Sequence, residues 1–104
     1  MSKAEIQSGI CGFTTEVEAA MNGKVCSLVI RSDCESIQKL AQHLKQVHPF
    51  REISFRQSIP QTIELSMQYC PHAACPVPVG IIKAVEVAAK LAAPADVSIK
   101  LSKS

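Results

Sequence analysis

Tryptophan is absent from this sequence, and one Tyr and three Phe are its only aromatics, 4% of 104 residues. A core without large rings must be built from Ile, Val, Leu and Ala, through many small contacts. Arginine is confined to Arg31, Arg51 and Arg56. Nucleic-acid binders concentrate basic charge on one face and place arginines or aromatics to stack on bases. Here 11 Lys and Arg are scattered among 9 Asp and Glu, for a net charge of +2, which argues against a nucleic-acid partner. With only four glycines there is neither a P-loop nor a G-x-G-x-x-G turn, so the common glycine-rich phosphate cradles are excluded. No apolar run approaches the ~20 residues of a spanning helix, and no membrane partner is expected. Met1-Ser2-Lys3-Ala4-Glu5 puts a carboxylate where the apolar segment of a signal peptide would begin, and the expected compartment is the cytoplasm.

What is present describes one folded unit. Hydrophobic residues make up 47% of the chain and charged residues 19%, with no repeat, linker or low-complexity tract, so residues 1–104 are read as a single domain. Residues 4–9 read as a short edge strand. Phe13–Ala20 alternates, with Phe13, Thr15, Val17 and Ala19 on one face and Thr14, Glu16, Glu18 and Ala20 on the other. Asn22-Gly23 is a turn signal, and Lys24–Arg31 completes a β-hairpin. Ser32 or Asp33 can cap a helix in which Ile37, Leu40, Ala41, Leu44 and Val47 recur at helical spacing until Pro49.

Phe50–Phe55 reads as a short strand, and Pro60 opens a second helix that runs to Cys70. Three prolines in residues 70–78 forbid regular helix there and stiffen the loop. A third helix is expected from about Val79 to Pro94, burying Ile81, Ile82, Val85, Ala88, Ala89 and Ala92. Val97–Leu101 then reads as a last strand. The fold class is α+β: a β-hairpin within a small, mainly antiparallel sheet, with about three helices packed on one face.

The five cysteines carry the chemistry. In a chain without a leader they read as metal-binding or reactive thiols rather than a disulfide framework, because the cytosol keeps thiols reduced. Cys11, Cys34, Cys70 and Cys75 all fall at element ends, where the backbone can turn side chains towards one point. A zinc tetrathiolate needs this, with four sulfurs about 2.3 Å from the ion. Cys34 and Cys75 open helices, where free amides and the helix dipole lower a thiol's pKa. Lys24, Arg31 and His72 are candidates to offset the negative charge of such a site. Cys26 shares a strand face with Leu28 and Ile30 and reads as core. The competing view of the other four is that they too are packing residues, since free cysteine is among the most buried types.

The order of these residues resembles a known domain. An early Cys11-Gly12 leading into a hairpin, Ser32-Asp33-Cys34 opening a helix, and Cys70 followed by Cys75-Pro76 before a last helix resemble the TSCPD domain. That small cysteine-containing domain occurs alone and at the ends of some ribonucleotide reductases, and the resemblance implies a metal-binding role for these four residues. Ala73-Ala74 stand where the pattern has Thr-Ser, and Val77 replaces its acidic residue, so any role of those side chains is lost. The chain is also similar over almost its whole length to a family of short bacterial and archaeal proteins with no established activity. That similarity rests on "SGICGFTT", on "SDC" followed by "IQKLA", and on a stretch of the form "CPHxACPVPxGIIKAxEVAA".

The leading reading is a metal-binding domain with zinc in a structural or regulatory role. An iron–sulfur cluster is the first alternative, because four Cys also suit a cluster. A thiol redox switch using Cys70 and Cys75 is the second. A third is an interaction domain whose Ile81–Ala92 helix is exposed for a homodimer or another protein partner. His72, in a C-x-H-x2-C arrangement with Cys70 and Cys75, is a spare ligand, whereas His43 lies among polar neighbours and reads as solvated. Glu16 and Glu18 read as an exposed strand face, and no catalytic residue is assigned.

Overall fold

The computed structural model describes residues 1–103. Four strands, β1 (Ser2–Gln7), β2 (Thr14–Asn22), β3 (Val25–Ser32) and β4 (Gln46–Val47), form one antiparallel sheet in the order β1-β2-β3-β4. Alternation sets its two faces. Ile6, Thr15, Val17, Ala19, Cys26 and Leu28 are buried on the inner face, and Lys3, Glu5, Glu16 and Arg31 lie exposed on the outer one. Arg31 there bridges Glu16 and Glu18, at 3.7 and 2.9 Å.

The helices α1 (Glu35–His43), α2 (Pro49–Glu52), α3 (Gln61–Tyr69) and α4 (Val77–Ala88) cover the inner face. α4 lies on β1 and β2, α1 lies on β3, and α3 packs against both α1 and α4. This is the expected α+β arrangement, with four helices rather than about three. No helix among the described residues is long and apolar enough to cross a membrane.

Two contacts orient α4. Ser2 Oγ donates to the Ala84 carbonyl at 2.7 Å, and Gly80 lies against the side chain of Ile6. Gly80 therefore sits beside the end of β1 and Ala84 beside its start, so α4 runs antiparallel to β1. A different device starts α3, whose N-cap is Pro60, a residue without a capping side chain. The buried Glu52 of α2 supplies it instead: its carboxylate accepts from the amides of Gln61 and Thr62, both at 2.9 Å, and from the Thr62 hydroxyl. Three donors thus compensate a carboxylate that would otherwise be costly to bury.

Several expected boundaries differ. The hairpin turn is Gly23-Lys24, one residue later than the Asn-Gly signal, because Asn22 pairs with Val25. Gly23 has a φ of +67°, as the first position of a two-residue II′ turn demands. α1 stops at His43 rather than running to Pro49, and Val47 reaches the core as part of β4, paired with Cys26. Phe50–Phe55 does not form a strand; Pro49, at the first helical position, starts α2 instead. α4 begins at Val77, two residues early, and ends before Ala92. The last strand over Val97–Leu101 is absent: every residue from Lys90 to Lys103 is exposed, because the segment has alternation but no sheet edge beside it.

Candidate metal centre

Sheet register gathers the cysteine-bearing segments at one end of the molecule. Gln7 pairs with Thr14, so the β1–β2 loop that carries Cys11 closes at the end where Thr15 pairs with Ser32 and β3 finishes. Cys34 follows two residues later. Because α4 runs antiparallel to β1, its N-terminus, with Cys75 just before it, points to this same end. Cys70 closes α3 and is tied to Cys75 by a four-residue loop. Cys26 pairs with Met21 beside the β2–β3 turn, at the opposite end.

Cys70 and Cys75 are neighbours, and Cys34 lies within electrostatic range of Cys75. Burial first, and then the nearby Cys70 and Cys34 thiols, together push the Cys75 thiol up to about 11. The Val77 amide, at the start of α4, hydrogen-bonds the Cys75 sulfur and works against that rise. The expectation that the helix start would lower this thiol's pKa is therefore corrected. One amide is present, but Pro78 contributes no donor and desolvation outweighs it.

Cys34 is the N-cap residue of α1, yet its side chain caps nothing. It is positioned through the backbone: its amide donates to Ser32 Oγ at 3.1 Å, and its carbonyl accepts from the Gln38 amide at 2.9 Å. Ser32 is itself held by Thr15 Oγ1, which donates to its hydroxyl at 2.9 Å, and by Gln38 Nε2, which donates to its carbonyl at 2.8 Å. Sequence reading missed this bracket of Thr15, Ser32 and Gln38. A threonine among the apolar residues of the inner face was the available signal. The sulfur of Cys34, free of capping duty, is half-buried against the core with Cys75.

Cys11 is not part of this group. It is exposed, in a tight turn closed by the Gly12 amide donating to the Gly9 carbonyl at 2.9 Å. Gly9 and Gly12 have φ of +85° and +76°, and nothing lies within 4 Å of where their Cβ atoms would be. Among the described residues, no three His, Cys, Asp or Glu side chains stand together as a ready-made metal site. His72 is exposed in the 70–76 loop, and His43 is exposed and stacked on Tyr69 at 4.4 Å. Lys24 lies at the far turn, and Arg31 is held on the outer face by Glu16 and Glu18, so neither serves the cysteine end.

A family model described as "Family of unknown function (DUF6951)" matches residues 2–101. The chain belongs to this family. The match takes in every helix and strand of this chain, all five cysteines and the segment after α4 as far as residue 101. It gives no link to the TSCPD domain, so the ligand roles implied by that resemblance remain proposals. No curated protein and no solved structure matches this DUF6951 chain.

Proposed function

We propose that this protein is a metal-binding domain in which Cys34, Cys70, Cys75 and Cys11 hold one zinc ion in a structural or regulatory role. The observation that carries the reading is the contact of Cys70 with Cys75, with Cys34 within electrostatic range, at the end of the molecule where the Cys11 loop also lies. Without a metal these thiols are mutually unfavourable as anions, and Cys75 stays protonated. A bound divalent ion reverses that balance, since a coordinating thiol is deprotonated outright. Cys70, Cys75 and Cys34 approach from three helix ends, and Cys11 lies exposed in the turn between Gly9 and Gly12 at the same end. Zinc, when bound, supplies a fixed tetrahedral link among the thiolates and performs no redox chemistry.

The Cys70–Cys75 contact also suits a reversible disulfide, but a thiol held near 11 is a poor attacking group at neutral pH. Elemental analysis and visible absorption of protein purified without oxygen test the proposal. One zinc per chain and a colourless solution support it. Iron with visible absorbance replaces zinc by a cluster. No metal after purification, and none taken up from added zinc under reducing conditions, overturns it.

A further inference from the structure

Among the described residues, the segment after α4 joins no helix or strand and β1 has no strand on its free side, and their chemistry matches. Val97, Ile99 and Leu101 alternate with Ser98 and Lys100, the pattern of a strand with one covered face. All are exposed, the three apolar residues at 55, 76 and 91%. The molecule measures 46 × 27 × 26 Å, and every described residue of this segment is exposed. The family match runs to residue 101, so the alternating segment lies inside the sequence that defines the family.

The sheet offers one strand-length open edge. β4, at one side, has only two residues, which blunts it. β1, at the other, has six and pairs only with β2. It contains no proline and, among the described residues, has no strand paired on its outer side, so a row of backbone donors and acceptors is open to pairing.

We infer that residues 97–101 of one chain add to the free edge of β1 in a second copy of this chain, giving a reciprocal strand-exchanged dimer. A register with Lys100 opposite Glu5 fits both faces. It places Ile99 and Leu101 beside Ala4 and Ile6 on the side covered by α4, and sets Lys100 against the carboxylates of the outer face, where Glu5, Glu16 and Glu18 lie. Cross-strand pairs of opposite charge and of apolar residues each favour such pairing. Residues 89–96 form a linker of eight residues, which spans up to about 27 Å when extended, long enough to cross to a neighbouring chain. The exchange does not rest on the metal reading, because it uses none of the cysteines.

Sedimentation velocity of the full chain tests this directly. A dimer is expected at micromolar concentration, and Ile99→Lys with Leu101→Lys should give a monomer whose far-UV circular dichroism is unchanged. Glu5→Lys should raise the dimer dissociation constant at least about fivefold, and adding Lys100→Glu should restore it. In a sample mixed from isotope-labelled and unlabelled chains, filtered NMR should detect tail-to-β1 contacts between chains. A monomeric parent, a dimer indifferent to the two lysines, or tail-to-β1 contacts only within one chain would each overturn the proposal.

Discussion

Gly80 of α4 has no side chain because Ile6 of β1 occupies the space: a Cβ built there would come within 2.6 Å of Ile6 Cγ1. This close approach seats α4 on the sheet and so places Cys75 one turn upstream. Gly80→Ala gains about 1 kcal/mol of helix propensity but must displace Ile6, at about 1–3 kcal/mol. A net loss of stability in urea denaturation is expected. Ile6→Ala removes the obstacle, so Gly80→Ala should be harmless or stabilising in that background, with a coupling of about 1 kcal/mol or more. Additive effects would mean that α4 does not rest on this contact.

The remote cap on α3 gives a second expected outcome. Glu52→Ala deletes the acceptor for two amides and one hydroxyl in a buried setting, and should lower stability by about 2–4 kcal/mol. Glu52→Gln should cost less, because its amide oxygen can still accept from one end. Thermal unfolding of the three proteins checks the order, and equal melting temperatures would remove the capping role.

For the metal proposal, Cys34→Ser, Cys70→Ser and Cys75→Ser should each abolish tight zinc binding. Cys11→Ser should weaken it less if solvent can take its place, since Cys11 reaches the site from an exposed turn. Cys26→Ser should leave binding intact while costing about 1–3 kcal/mol of stability, because it puts a hydroxyl in a fully buried position. Zinc titration against a coloured chelator measures all five, and loss of binding in the Cys26 variant alone would refute the ligand set.

Zinc affinity should also rise with pH. Cys75 holds its proton to about 11, so metal must displace it throughout the neutral range. Each unit of pH should then strengthen apparent binding about tenfold through this thiol alone, and a Cys75→Ser variant should show a shallower slope. In the metal-free protein the raised value acts the other way. Stability from the protonated thiol is complete below about 9 and is lost as pH climbs through 11, so the apo form should weaken in alkali.

The hairpin and the buried side of β2 were legible because their periodicities have a single reading: Thr15, Val17 and Ala19 can share a face only as a strand. Of the expected core face of α4, Ile81, Val85 and Ala88 are buried, whereas Ala84 is buried without having been expected and Ala92 lies exposed beyond the helix. Val47 was ambiguous. It completes a helical series with Leu40 and Leu44, yet it reaches the core as β4 because β3 leaves room for a partner beside Cys26. Pro49 reads equally as the stop of one helix and the first residue of another. The nearness of Cys70 and Cys75 followed from their places on either side of one short loop. The position of Cys11 did not, since a turn between two left-handed glycines leaves no sequence mark of which way its side chain faces. Glu52 gave no local signal at all, because the helix it caps begins nine residues later.

The register that collects the cysteines at one end also governs when they can meet. Cys70 and Cys75 are five residues apart, but 36 residues separate Cys34 from Cys70 and 23 separate Cys11 from Cys34. Closing those longer spans before the sheet exists costs chain entropy that one ion–thiolate bond must repay, whereas the short span closes almost freely. On the metal proposal, Cys70 and Cys75 should therefore make the first foothold, Cys34 should join once α1 docks on β3, and Cys11 should lock last. In stopped-flow refolding with zinc present, the folding rate should barely change while the unfolding rate falls, the mark of a link that forms after the transition state.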